Sequence, residues 1–406
     1  MKKTLIAVAA AAALTATSAF AEITFGAWLR VITGVGSNGE DVVMGTTNSW
    51  GGVRPARLNA AGVSEDGKAG FKLDFYFDND KIWGHDENIR IGDNGYLWVK
   101  PIDQIQLSIG KFDGGETGFR GDFCYGSWNW LRPFNWIADD EGLTFKGSHK
   151  DGLMARITPI DNLVVLVQLP VMNAKWGGNN NGYVAKTETE DAKNTAADVF
   201  KNAAYMASYS IEGVGTLKAG FFGADDEKTV EGKKYNQTGT VNVAFDLNAI
   251  ENLYVTVGAF FDIADKEMGE WHEKMKFTAG ASYQVSDAMK FSVSGGYVKY
   301  MGKCSWLGNK DNAFGIGAGV DYVIMDGLTL NADVRYKNVG YGKKGDDGSV
   351  SFLAGVVKSV GGNASLQAGF QGSTNGCGLV QADTGIPAVE KDDFVWAIPV
   401  GLSVFF

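Results

Sequence analysis

Phe394-Val395-Trp396-Ala397-Ile398-Pro399-Val400-Gly401-Leu402-Ser403-Val404-Phe405-Phe406 decides how the rest of the chain is read. Counting back from Phe406, every second residue is apolar: Val404, Leu402, Val400, Ile398, Trp396 and Phe394. A β-strand sends successive side chains to opposite faces, so this stretch has one greasy face and one of mixed, mostly small residues. The same period of two recurs upstream. In Phe71–Phe77, Phe71, Leu73, Phe75 and Phe77 share one face, and Lys72, Asp74 and Tyr76 the other. It returns in Ile23–Ile32, Ile105–Ile109, Leu217–Phe221, Leu253–Phe261, Phe291–Tyr297, Ile316–Tyr322, Leu328–Tyr336 and Leu366–Phe370, among others.

Connections between these strands alternate in length. Ser64–Lys68, Pro101–Asp103, Pro159–Asn162, Glu212–Gly215, Asn248–Asn252, Ser286–Ala288, Met325–Gly327 and Val360–Gly362 are short and rich in turn residues. Long loops fall near 35–53, 78–94, 112–141, 171–202, 224–237, 263–273, 300–312, 338–349 and 372–393. Both chain ends fall on the short-turn side. The count is about 18 strands, with 16 within its error, and residues 142–157 read either as one long strand or as an extra hairpin. A soluble β-sandwich or β-helix also alternates, but does not sort its turns into short and long. In lipid every backbone group must pair inside the protein, so a spanning sheet closes into a barrel. Bacterial barrels have even strand numbers, short periplasmic turns and long outer loops. The expected fold is therefore an all-β transmembrane antiparallel barrel.

The beginning of the chain agrees with export. Met1-Lys2-Lys3, the apolar run Leu5–Leu14 and Ala19-Phe20-Ala21 have the order of a cleaved signal peptide over residues 1–21. Residues 22–406 then form one barrel domain with formal charge −12, which excludes a basic nucleic-acid surface. Hydrophobic residues are 45% and charged residues 21%, so the chain is not disordered. No mature stretch reaches the ~18 apolar residues of a membrane helix.

The terminal strand resembles that of bacterial outer-membrane porins, which ends in Phe with apolar residues at every second position. The resemblance implies handling by the barrel-assembly machinery through Phe406, a setting of outer-membrane lipid, and a homotrimer as one oligomeric state. Pro399 departs from the pattern because it lacks a ladder donor, so a bulge or a skipped bond is expected there. Gly110-Lys111-Phe112 resembles the Gly-basic-aromatic end of the strand before the constriction loop of general porins. By position, residues 112–141 then resemble that third loop, which folds into the barrel. They carry the acids Asp113, Glu116, Asp122, Asp139, Asp140 and Glu141, and the aromatics Trp128, Trp130, Phe134 and Trp136. Aromatics at this density are costly to leave in water. If apolar faces meet lipid, Arg30, Arg57, Lys72 and Arg156 line the lumen, as do Arg335 and Lys337 on a later strand. Acids opposite such a basic wall would set a transverse field. Otherwise these charges are ordinary lumen polarity.

The expected function is a water-filled channel for passive diffusion of small hydrophilic solutes or ions. The strand count also resembles that of maltoporin-like channels, and with the Trp-rich third loop this resemblance implies carbohydrates as solutes, because aromatic faces stack on sugar rings. The alternative is a barrel adhesin or antigen whose loops bind a host or matrix partner, with Trp176 and the Gly177–Gly182 run as candidate contacts. No catalytic, metal or cofactor motif is expected to act. Gly34–Gly39 fits G-x-G-x-x-G but has no helix after it and reads as a loop. His85, His149 and His272 have no metal-like spacing. Asp78, Asp80, Asp86, Glu87 and Asp93 offer oxygens for calcium without EF-hand spacing. The pairing of Cys124, Cys304 and Cys377 stays open.

Overall fold

The protein is described here as a computed structural model, over residues 22–37, 41–45, 56–77, 89–112, 119, 145, 152–171, 196–230, 233–264, 273–304, 310–338, 348–374 and 394–406. The strands are β1 (Glu22–Ser37), β2 (Val42–Gly45), β3 (Ala56–Val63), β4 (Ala69–Phe77), β5 (Ile89–Ile102), β6 (Ile105–Lys111), β7 (Gly152–Ile160), β8 (Leu163–Leu169) and β9 (Ala204–Ile211). They continue as β10 (Gly215–Val230), β11 (Lys233–Leu247), β12 (Leu253–Ala264), β13 (Glu273–Ser286), β14 (Met289–Cys304) and β15 (Lys310–Met325). The last are β16 (Leu328–Lys337), β17 (Ser349–Ser359), β18 (Ala364–Ser373) and β19 (Val395–Phe405). One short helix, α1 (Ala196–Lys201), precedes β9.

From β3 to β19 each strand pairs antiparallel with its neighbours in chain order, and β1 pairs with β2, β3 and β19. The sheet therefore closes on itself. β1 meets β3 over Glu22–Leu29 and β2 over Gly34–Ser37, so β2 and β3 share one lane of the wall. The result is a closed 18-lane barrel with one extra strand.

Period-two sequence becomes two faces. Leu107 and Ile109 are exposed on the outer face while Ser108 between them is buried inward. Val334 and Tyr336 alternate in the same way with Asp333, Arg335 and Lys337. Ile398, Val400 and Leu402 are exposed, and Ala397 and Ser403 are buried. With no water in the bilayer core, the outer residues are matched to lipid.

All eight short turns stand where the alternation ends, and six of them place one residue in the left-handed region, Asn162 and Asn252 among them. At the Ser64–Lys68 turn, the Ser64 hydroxyl donates to Asp66 (2.6 Å), as does the Lys68 amide (3.0 Å). These bonds hold the Asp66 carboxyl below its ordinary pKa.

Several boundaries differ from those expected. β1 runs on to Ser37, so Gly34–Ser37 is strand rather than loop. The expected loop 224–237 is mostly strand, because β10 and β11 continue past a register shift between Gly223 and Asp226. β14 and β15 likewise narrow the connection expected at 300–312. The doubtful stretch 142–157 holds the start of β7 at Gly152. At Pro399 the register with β18 is unchanged, but no pairing joins 398–399 to 369–370, so the chain skips rather than bulges.

Candidate functional site

The inner wall has two characters. Between β7 and β11 it carries an apolar patch, in which Met154, Leu166, Ala204, Met206 and Ala244 point inward and are buried, beside the inward polar residues Gln168, Lys218, Asn242 and Asp246. Over this patch lie Phe119 (1% exposed) and Phe145 (0%), both from the connection between β6 and β7. Their rings are 6.0 Å apart, and Phe145 meets Phe222 edge-on at 5.9 Å. Gly220 leaves room for this: a Cβ there would stand 3.0 Å from Phe145 Cζ and 3.1 Å from Met206 Cγ. Phe112 joins the cluster and packs on Tyr96 at 5.1 Å. The third connection is thus seated on the inside of the barrel at two points.

Its roots are built for that path. Gly110 pairs with Gly152, with φ of 141° and 143° respectively. A Cβ would strike Gly95 O at 2.2 Å from Gly110 and Leu169 O at 2.3 Å from Gly152, so both places require glycine. Next to Gly110, Lys111 donates its ammonium to Gly92 O. That carbonyl lies where β5 shifts register against β4, between Leu73 and Phe75. Such an irregularity re-aims side chains. Here Asn94 Nδ2 donates to Asp74 Oδ2 at 2.8 Å. Asp74 also takes Arg57 Nη2 at 2.5 Å, and the Arg57 guanidinium lies 5.5 Å from the centre of the Tyr76 ring.

A model of the Gram-negative porin family matches residues 7–342. The chain belongs to that family. The porin superposes on the anion-selective porin of Comamonas acidovorans with a TM-score of 0.55 at 13% identity, covering 95% of this chain and 99% of the other. Against Salmonella typhi OmpF in complex with daunomycin the TM-score is 0.53 at 10% identity, covering 95% and 97%. A search of curated proteins finds no match. Identities this low speak for the fold, while the family places the porin in the outer membrane as a channel.

Of the basic residues expected on the inner face, Arg57, Lys72 and Arg156 stand at inward positions of β3, β4 and β7. Arg30 pairs through its backbone with Ser403, and its side chain lies outside the described residues. Arg335 and Lys337 are inward on β16. The third-loop residues Asp113, Glu116, Asp122, Trp128, Trp130, Phe134, Trp136, Asp139, Asp140 and Glu141 all lie outside the described residues. So do Asp78, Asp80, Asp86, Glu87, the three His, Trp176, Cys124 and Cys377. Cys304 is a buried thiol near Val298, Tyr300 and Ala313. Among the described residues no cluster of potential metal ligands occurs.

The inner wall of β16 to β19 is richer in polar side chains, although Leu353, Val395 and Ala397 are buried there too. Asn331, Asp333, Arg335 and Lys337 on β16 face inward beside Ser349 and Ser351 on β17, Gln371 and Ser373 on β18, and Ser403 on β19. On β10 and β11, beside the apolar patch, Lys218 pairs with Asp246 at 2.7 Å, and the Thr256 hydroxyl of β12 donates to the same carboxylate at 2.7 Å.

Sequence reasoning missed Phe119 and Phe145, which stand as single aromatics among polar neighbours. A signal was available in Leu163-Val164-Val165-Leu166-Val167-Gln168-Leu169, which is apolar on both faces. A strand with lipid on one side and water on the other has no reason to be so.

Proposed function

We propose that this porin is a passive diffusion channel for small hydrophilic solutes or ions, narrowed by its third loop. The supporting observation is the seating of Phe119 and Phe145 on the inner wall, on either side of residues 120–144. In this reading, Asp113, Glu116, Asp122, Asp139, Asp140 and Glu141 oppose Arg30, Arg57, Lys72 and Arg156 across the pore. Selectivity then comes from pore radius and from the lining charges. Trp128, Trp130, Phe134 and Trp136 would offer stacking faces to a carbohydrate. The assembly would be a homotrimer in outer-membrane lipid, inserted by the assembly machinery through the strand that ends at Phe406.

Single-channel recording in planar bilayers tests the reading. Shortening the loop between Gly115 and Trp136 should raise conductance. Equal conductance in parent and shortened protein would place the loop outside the pore. A parent that folds but conducts nothing would favour the adhesin reading instead. Sugar-dependent block that disappears when Trp128, Trp130 and Trp136 become Ala would support carbohydrate passage, and unchanged block would remove it.

A further inference from the structure

We propose that Asp74 is a specificity-determining residue of the channel, acting by cancelling the charge of Arg57 at the wall. The inference rests on the reading of Arg57 as a pore-lining residue. Asp74 is 0% exposed, whereas Arg57 keeps 22% of its side-chain surface open. The carboxylate is therefore hidden behind the guanidinium, and a passing ion meets the pair from the Arg57 side. At 2.5 Å the two charges form a compact dipole, and their opposite fields largely offset one another a few ångströms away.

The arrangement is held from three sides. Asn94 supplies a second donor to Asp74 Oδ2, and the irregular turn of β5 that carries Asn94 is tied by Lys111 to Gly92 O. The ring of Tyr76, itself 1% exposed, lies against the guanidinium. Gly92 fits the same corner because a Cβ there would come within 3.0 Å of both Asp74 and Tyr76. A general ionic lining needs none of this fixing. A charge that must be presented in one place, already compensated, does.

The consequence differs from that of a simple basic ladder. Neutralising Arg57 alone uncovers a carboxylate, and neutralising Asp74 alone uncovers a cation. The reversal potential of the full-length protein in planar bilayers, under a potassium chloride gradient, reads both. Asp74→Asn should move it toward anion selectivity and Arg57→Gln toward cation selectivity. The double variant should return close to the parent. A conducting Asp74→Asn channel with the parent's reversal potential would overturn the inference, as would single variants that shift in the same direction. A purely structural pair would lose the heat-modifiable folded band in each single variant and regain it in the double one, with no shift, and that pattern also overturns it. Loss of conductance in the parent would instead sink the channel reading itself.

Discussion

The inner walls of β7–β11 and of β16–β19 face the same lumen, yet the first carries a patch built like a protein core and the second a closely packed patch of buried polar and charged side chains. Met154, Leu166, Met206 and Ala244 make the first a seat for Phe119 and Phe145. Asn331, Asp333, Arg335, Lys337, Ser351 and Gln371 make the second a field of donors and acceptors. Alternation alone assigns both walls to the inside. What separates them is whether another piece of protein must be held there. Apolar contact holds a segment without fixed geometry, whereas a polar wall offers direction and charge.

The largest effect should come from placing a charge in the seat. Phe145→Asp removes a buried aromatic, a loss of about 3–5 kcal/mol for truncation alone, and puts a carboxylate among Phe119, Phe222 and Met206. The expected result is a noisier channel of higher conductance whose third connection is cut faster by added protease. An Asp at Ser351, whose register partner is Arg335, should instead leave conductance near that of the parent and shift ion selectivity. If the two variants behave alike, the walls are not distinct.

Next in size is the test of inside against outside. Val334→Arg puts a cation on the lipid face near mid-membrane and should cost about 2–4 kcal/mol in denaturant unfolding. Ser365→Arg, on the inward face of β18, should cost far less. Asn331 is inward as well but is a poorer place for the comparison, because it is buried and donates to Asp321 at 2.6 Å.

The smallest effect tests how tightly the seat is packed. Gly220→Ala pushes on Phe145 and Met206 and should cost ~1–3 kcal/mol, the range for overpacking. Gly362→Ala, in the turn before β18 where a Cβ meets nothing within 4 Å, should cost less, and a thermal melt in detergent would rank the pair.

The difference between the walls also explains what could be read from the sequence. Lipid forces one face of every crossing strand to be apolar, so the strands, the turns and the closure were legible from period two. Asp225-Asp226-Glu227-Lys228 belongs to β10 but shows no such period. A strand that runs beyond the bilayer has no greasy face to maintain. The irregularity of β5 at Gly92-Asp93-Asn94 was absorbed into the expected loop 78–94, whereas β5 already begins at Ile89 and sets Gly92 against Asp74 and Tyr76. Basic positions on the inward face were legible at Arg57, Lys72 and Arg156 because parity fixes them. That Arg57 is compensated by Asp74 depends on a contact across two strands, which parity does not report.

The seam between β1 and β19 carries a consequence for how the molecule comes into being. Trp28 pairs with Phe405, and Ala27 exchanges backbone hydrogen bonds with Phe406 at 3.0 and 2.8 Å. These contacts join residues far apart in the sequence, and such non-local pairing is slow to form. Until the last strand arrives, the growing sheet has two bare edges, each able to pair with another chain. Docking of the final strand is thus a commitment point. A polypeptide released early has almost all of its wall and no way to shut it, so premature termination should yield aggregates rather than smaller pores.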